Sequence, residues 1–134
     1  MGAVENLAVH SRWTEAENRH DLSRHDEFVH ENIELFAGGE TIVGIDAFRA
    51  SVESNFSAFP DFHVVLDDQF ATDDRVVCRW RQSGTHEGEF FGIPATGKQI
   101  EFIGISLWEF ENNKARRGWA MLDVASLMQQ LGLA

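Results

Sequence analysis

The chain has 134 residues and a formal net charge of −11, with 43% hydrophobic and 25% charged residues. That length supports one domain, residues 1–134, with a single core burying roughly two thirds of the unfolded surface. The negative balance argues against nucleic acid or anionic membranes as partners, whose phosphates would be repelled.

Met1 to Asn6 carries neither a basic nor an apolar leader region, and no stretch approaches about 18 consecutive apolar residues, so a cytoplasmic protein is expected. Residues 3–20 read as an amphipathic helix, with Val9, Trp13, Ala16 and His20 on one stripe. Arg19-His20-Asp21 and Arg24-His25-Asp26 frame a short second helical turn. His20, His25 and His30 are spaced five apart and do not share a helix face, so they are read as a solvated polar loop rather than a metal site. Phe28 to Phe36 alternates as a strand, and Gly38-Gly39 turns it into Thr41-Ile42-Val43. A third helix after Gly44 stacks Ile45, Phe48, Val52 and Phe56, and Phe59-Pro60 stops it, because the residue before proline is pushed out of helical conformation.

From Phe62 the chain reads as strand and turn. Phe62 to Phe70 turns at Thr72-Asp73-Asp74 into Val76 to Thr85, and a Gly92–Gly97 loop leads into Ile100 to Phe110. Asn112-Asn113 suits a tight hairpin into the last strand, since Asn tolerates positive φ. A terminal helix from Val124 to Gln130 follows. Helices, an antiparallel meander and a last helix make an α+β layout.

Side-chain alternation places Val76, Cys78, Trp80, Gln82, Gly84 and His86 on one strand face, and this more apolar set is expected to meet the helices. Arg117, Trp119, Met121 and Asp123 share a face of the last strand, opposite Gly118, Ala120 and Leu122. Ile100 to Phe110 is apolar on both faces, with Phe102 and Trp108 on one and Ile103, Ile105 and Leu107 on the other. A strand apolar on both sides is covered on both sides. Helices cover one, so a homodimer is expected to cover the other.

Asp123 ends an apolar ladder, where burial would raise its pKa towards that of a neutral-pH acid or base. Its bland reading is the N-cap of the last helix. His86 is the second acid/base candidate, or else it orients its own Gly84–Gly88 turn. Trp13, Phe56, Phe59 and Trp80 are candidates to line a cavity for a flat substrate, or are plain core, and Gln82, Trp119 and Met121 join them as substrate-binding candidates. With Asn112 and Asn113 as a two-residue turn, Glu109 lies opposite Arg116 as a cross-strand ion pair. The single cysteine, Cys78, permits no internal disulfide or thiolate cage. Neither a cofactor nor a metal is expected.

Trp13, Asn18-Arg19-His20-Asp21, Ala58-Phe59-Pro60-Asp61, Gly84-Thr85-His86-x-Gly88, Pro94-x-x-Gly97-Lys98 and Trp119-x-x-x-Asp123 together resemble the SnoaL-like polyketide cyclase branch of the nuclear-transport-factor-2-like superfamily. The resemblance implies a cone: a curved antiparallel sheet wrapped by N-terminal helices around a deep apolar pocket, usually dimeric through the outer sheet face. It implies a cofactor-independent enzyme with Asp123 as acid/base on a small apolar or aromatic carbonyl compound such as a polyketide, in cyclase, isomerase or hydratase chemistry. The chain departs from the family pattern at Asn112-Asn113-Lys114-Ala115 and at Arg117-Gly118, and Arg117 would lower the pKa of Asp123. Two other readings stand beside this one. One is a non-catalytic binding or scaffold module. The other is epoxide-hydrolase-like water activation, to which Arg79-Trp80-Arg81-Gln82 lends no Arg-x-Asp pair. An isomerase site with a tyrosine oxyanion donor has no tyrosine to use.

Overall fold

The computed structural model describes residues 2–133. Helix α1 (Ala3–Asn18) and a single helical turn α2 (His25–Phe28) lead into the hairpin β1 (Val29–Ala37) and β2 (Glu40–Val43). Helix α3 (Ile45–Ala58) crosses over to the meander β3 (His63–Ala71), β4 (Arg75–Thr85), β5 (Gln99–Glu111) and β6 (Lys114–Leu122), and α4 (Val124–Gln130) closes the chain. The six strands form one sheet in the order β2-β1-β6-β5-β4-β3. Neighbours are antiparallel except β1 and β6, which run parallel. A meander alone would make every pair antiparallel. The α3 crossover separates β1 from the meander and lets β1 join the free edge of β6 in the same direction.

Helix α1 is two residues shorter than its apolar stripe suggested. Val9, Trp13 and Ala16 are buried as expected, but His20 lies past the helix end with φ 57° and stacks on Phe56 at 4.1 Å. Proline ends α3 at the expected place, with Phe59 extended at φ −132°, ψ 86°. Asn112 and Asn113 both take positive φ, 52° and 62°, and make the tight β5–β6 turn.

The core lies between the concave face of the sheet and the helices. Strand β5 alternates without a break, with Ile100, Phe102, Ser106, Trp108 and Phe110 buried inside and Ile103 and Ile105 exposed outside. Gly118 and Gly104 leave room for the rings of Trp108 and Trp80, which an added Cβ at either glycine would strike. Two glycines therefore let large indoles lie flat on the inner face.

The sequence motifs clasp one another at one end of the cone. The Asp61 carboxylate accepts from the Thr85 backbone N–H at 2.6 Å and the Thr85 hydroxyl at 2.8 Å, which holds its pKa below the ordinary value. Glu87 and Gly88 N–H groups donate to the Ala58 carbonyl at 2.9 and 3.2 Å, and a side chain at Gly88 would collide with the Ser57 backbone. Gly84 is needed for a similar reason, since a Cβ there would lie 2.8 Å from that of Phe59.

Candidate functional site

Two adjoining cavities occupy the concave side. A mouth cavity of about 920 Å³ lies between α3, the β1–β2 hairpin, β6 and the Glu89–Phe91 segment, with Leu35, Ile42, Phe90, Phe102, Ala120 and Leu122 among its walls. A second space of about 160 Å³, the α1 chamber, is lined by His10, Trp13, Thr14 and Glu17 of α1 and by Phe62, Leu66, Cys78, Ser106 and Trp108. Asn55, Trp80 and Gln82 line both. The mouth is of ligand size, and the chamber takes only part of a ligand.

The polar groups of the chamber are partnered. The Asn55 and Gln82 amides pair reciprocally, Gln82 Nε2 donating to Asn55 Oδ1 at 2.8 Å and Asn55 Nδ2 to Gln82 Oε1 at 3.2 Å. Trp80 Nε1 donates to Ser106 Oγ at 2.9 Å. Gln69 Nε2 lies 2.6 Å from His10 Nδ1, and His10 Nε2 lies 3.7 Å from Cys78 Sγ. Burial lowers the His10 pKa to about 4 and raises that of the Cys78 thiol to about 11. Imidazole and thiol are therefore both neutral near pH 7, and this pair is no activated nucleophile.

Glu17 is the one carboxylate on the chamber wall among the described residues. Its Oε2 accepts from Trp13 Nε1 at 2.6 Å and pairs with His25 Nε2 at 2.9 Å. His25 is wholly buried, in contrast to the solvated loop expected of it. Glu17 belongs to no motif read from the sequence, and His25 appears there only in the Arg24-His25-Asp26 repeat. The spacing contains part of the signal: Trp13 and Glu17 are i, i+4 partners on α1, and His25 follows eight residues after Glu17.

The structure divides the candidate residues sharply. Trp13, Trp80 and Gln82 line the chamber. Phe59 is core, packed on Phe90 and His86, and Phe56 packs on His20 and Phe62; neither lines either cavity. His86 is also buried away from both, its Nδ1 3.0 Å from Thr96 Oγ1 and its Nε2 without a partner. That contact ties the Gly84–Gly88 turn to the Gly92–Gly97 loop.

Asp123, Trp119 and Met121 require correction. Gly118, Ala120 and Leu122 take the concave side of β6, because Gly118 sits against the inward-facing Trp108. Period-two alternation then sends Trp119, Met121 and Asp123 outward. Asp123 is exposed, and its carboxylate accepts from the Ser126 N–H at 3.0 Å as the N-cap of α4. Met121 is 76% exposed, and Trp119 stacks on Phe36 at 5.5 Å. Arg117 is engaged elsewhere, with Glu34 at 3.3 Å and Glu109 at 3.5 Å. A register shift after Glu109 makes Arg117, not Arg116, the residue opposite Glu109, so the expected ion pair forms with a different arginine. Arg79 and Arg81 point outward to Asp68 and Asp67, at 2.7 Å each.

A family model for the SnoaL-like polyketide cyclases matches residues 8–131. The chain belongs to the SnoaL-like polyketide cyclase family. No curated protein matches it. Among solved structures it is similar to AclR from Streptomyces galilaeus, a proposed hydroxylase, with 26% identity, 98% of each chain covered and a TM-score of 0.85. It is similar to TsrD from Streptomyces laurentii at 26% identity, with 98% of this chain and 97% of that one covered and a TM-score of 0.88. A SnoaL-like polyketide cyclase from Agrobacterium tumefaciens shares 23% identity over 92% of this chain and 95% of its own, with a TM-score of 0.82. The cone and its curved sheet are those of this family, and no helix among the described residues is long and apolar enough to cross a membrane.

Proposed function

We propose that this SnoaL-like chain is a cofactor-independent cytoplasmic enzyme that takes a mostly apolar organic carbonyl compound into the cone and moves a proton on it. Cyclase, isomerase and hydratase reactions all share that step. The observation that carries this reading is the joining of two unlike cavities: an aromatic and aliphatic mouth large enough for a ligand opens beside a chamber that holds polar and titratable side chains. The body of the compound lies in the mouth, and its reacting end reaches past Trp80 and the Asn55–Gln82 pair. A scaffold module has no need of such a space and would fill it with side chains. Asp123 and His86 are not assigned the proton transfer, because neither lines the mouth or the chamber. The enzyme works as a homodimer through the outer sheet face, supported by the exposed apolar row Ile103, Ile105, Trp119 and Met121.

Indole fluorescence tests the binding step, since Trp13, Trp80 and Trp108 line the chamber. Aromatic ketones and polyketide-type keto esters should quench it saturably. Ala120→Phe projects a ring into the mouth and should weaken binding about tenfold, roughly 1.4 kcal/mol. Absence of saturable quenching across the panel overturns the reading.

A further inference from the structure

Helix α1 is anchored at its C-terminal end by Asn18, whose side chain brackets Val64: Oδ1 accepts from the Val64 N–H and Nδ2 donates to the Val64 carbonyl, both at 2.8 Å. Glu17, the preceding residue, is thereby held at a fixed height on the chamber wall. Its Oε2 is the meeting point of two donors, Trp13 Nε1 and His25 Nε2. His25 is fully enclosed, its ring 5.5 Å from that of Phe48, and its Nδ1 has no hydrogen-bond partner. Both N–H groups converge on one oxygen. The other, Oε1, makes no hydrogen bond among the described residues.

That arrangement exceeds what a structural carboxylate needs. One oxygen is locked in place by aromatic N–H donors, and the other is left uncommitted beside a cavity walled by Trp13, Phe62, Trp80 and Trp108. Ser106 lines the same chamber. Its Oγ accepts from Trp80 Nε1, and its own O–H makes no hydrogen bond among the described residues. A base and a donor thus face one apolar space, which is the minimum set for enolisation.

We propose that Glu17 is the catalytic carboxylate of the cone, with Ser106 as the donor to the substrate oxygen and His25 as a positioning residue. The proposal rests on the reading that the cone binds an apolar carbonyl compound. In the step assigned, Oε1 removes a proton from the carbon next to the carbonyl. The C–H bond breaks, and its electron pair passes into the carbonyl to make an enolate, whose oxygen takes a hydrogen bond from the Ser106 hydroxyl. Protonated Glu17 then returns the proton, to carbon in an isomerisation or to the new alkoxide when the enolate carbon closes on a second carbonyl. No electrons are gained or lost overall. His25 and Trp13 keep Oε2 in place throughout, so that Oε1 alone exchanges the proton.

The test uses 2-tetralone, a flat aromatic ketone, with deuterium uptake from D2O followed by NMR and binding followed by indole quenching. The wild-type protein should bind it and accelerate exchange over buffer. Glu17→Gln keeps an acceptor oxygen for Trp13 and His25 but cannot take a proton. It should fold, bind the ketone within about twofold of wild type and lose roughly 10²–10⁴ of the acceleration. Asp123→Asn should exchange at the wild-type rate. His25→Phe should lower kcat with KM unchanged, and His25→Gln, which restores a donor, should recover most of it. If His25→Phe does not fold, the Glu17→Gln comparison alone decides. Wild-type exchange by Glu17→Gln, or ketone binding by the wild type without exchange, overturns the Glu17 assignment and leaves the carbonyl-binding reading intact. Failure of the wild type to bind any carbonyl compound overturns that reading itself.

Discussion

The two faces of strands β4, β5 and β6 are built from similar residues and hold different things. On the concave face Phe102, Trp108, Val76 and Cys78 are closed over by helices, and the polar side chains Gln82 and Ser106 among them, with His10 of α1 above, all have partners. On the convex face Ile103, Ile105, Trp119 and Met121 form an apolar row with no cover, flanked by Arg79 and Asp123. Carboxylates follow the same division. Glu17 faces the chamber with one oxygen free, whereas Asp123 stands on the far side and caps a helix. Hydrophobic character thus does not tell the two faces of this sheet apart. Enclosure does, because it changes the energetics of the polar groups trapped with it.

The largest effect should come from charging the uncovered face. Ile105 is 55% exposed in the single chain, and a charge there costs the fold little but would be desolvated against a partner. Light scattering should give about twice the 15.2 kDa chain mass for the wild type and a single-chain mass for Ile105→Glu. A wild-type monomer at micromolar concentration would remove the dimer and leave the convex row without a role.

The concave face should show itself in acid. Burial lowers the His10 pKa from 6.5 to about 4, and its neighbours Gln69 and Cys78 carry no charge. The unfolded chain therefore binds a proton in a range where the folded chain does not, and stability must fall as pH drops from about 6.5 towards 4. The full difference is about 3 kcal/mol. Urea denaturation across that range should show the loss in the wild type and a flatter profile in His10→Gln. Equal slopes would mean that His10 is not the group responsible.

The smallest expected effect belongs to Asp123. Asp123→Ala removes the cap on α4 and should cost about 1 kcal/mol, while Asp123→Asn, an equally good cap, should be close to neutral. Thermal melts of the two variants distinguish a cap from a group with further duties, which Asn would not replace.

Periodicity and turn chemistry made most of the fold legible beforehand. Every helix and strand was visible, including the Asn112-Asn113 turn and the proline stop after Phe59, because these are local consequences of φ preference and side-chain alternation. Inside and outside were legible on β4, where one face is plainly more apolar. They were not legible on β6: Trp119 and Met121 look like inner residues, but a glycine is what the inner face required, to admit Trp108. Glu17 and His25 stayed hidden for another reason. Glu17 lies outside every motif and His25 reads as part of a polar loop, and only the turn through α2 brings the two within hydrogen-bonding distance.

The sequence alone marks this protein as an acidic α+β chain of the SnoaL-like pattern, with its elements, turns and strand phases set by local stereochemistry. Tertiary structure decided which phase of each strand faces the cavity, which carboxylate stands in it and which histidine is buried beside that carboxylate. Those are contacts between residues distant in sequence, and they depend on the volumes of Trp80 and Trp108 meeting the gaps at Gly104 and Gly118. No local preference encodes such a fit, because it exists only once the sheet has curved and the helices have closed over it.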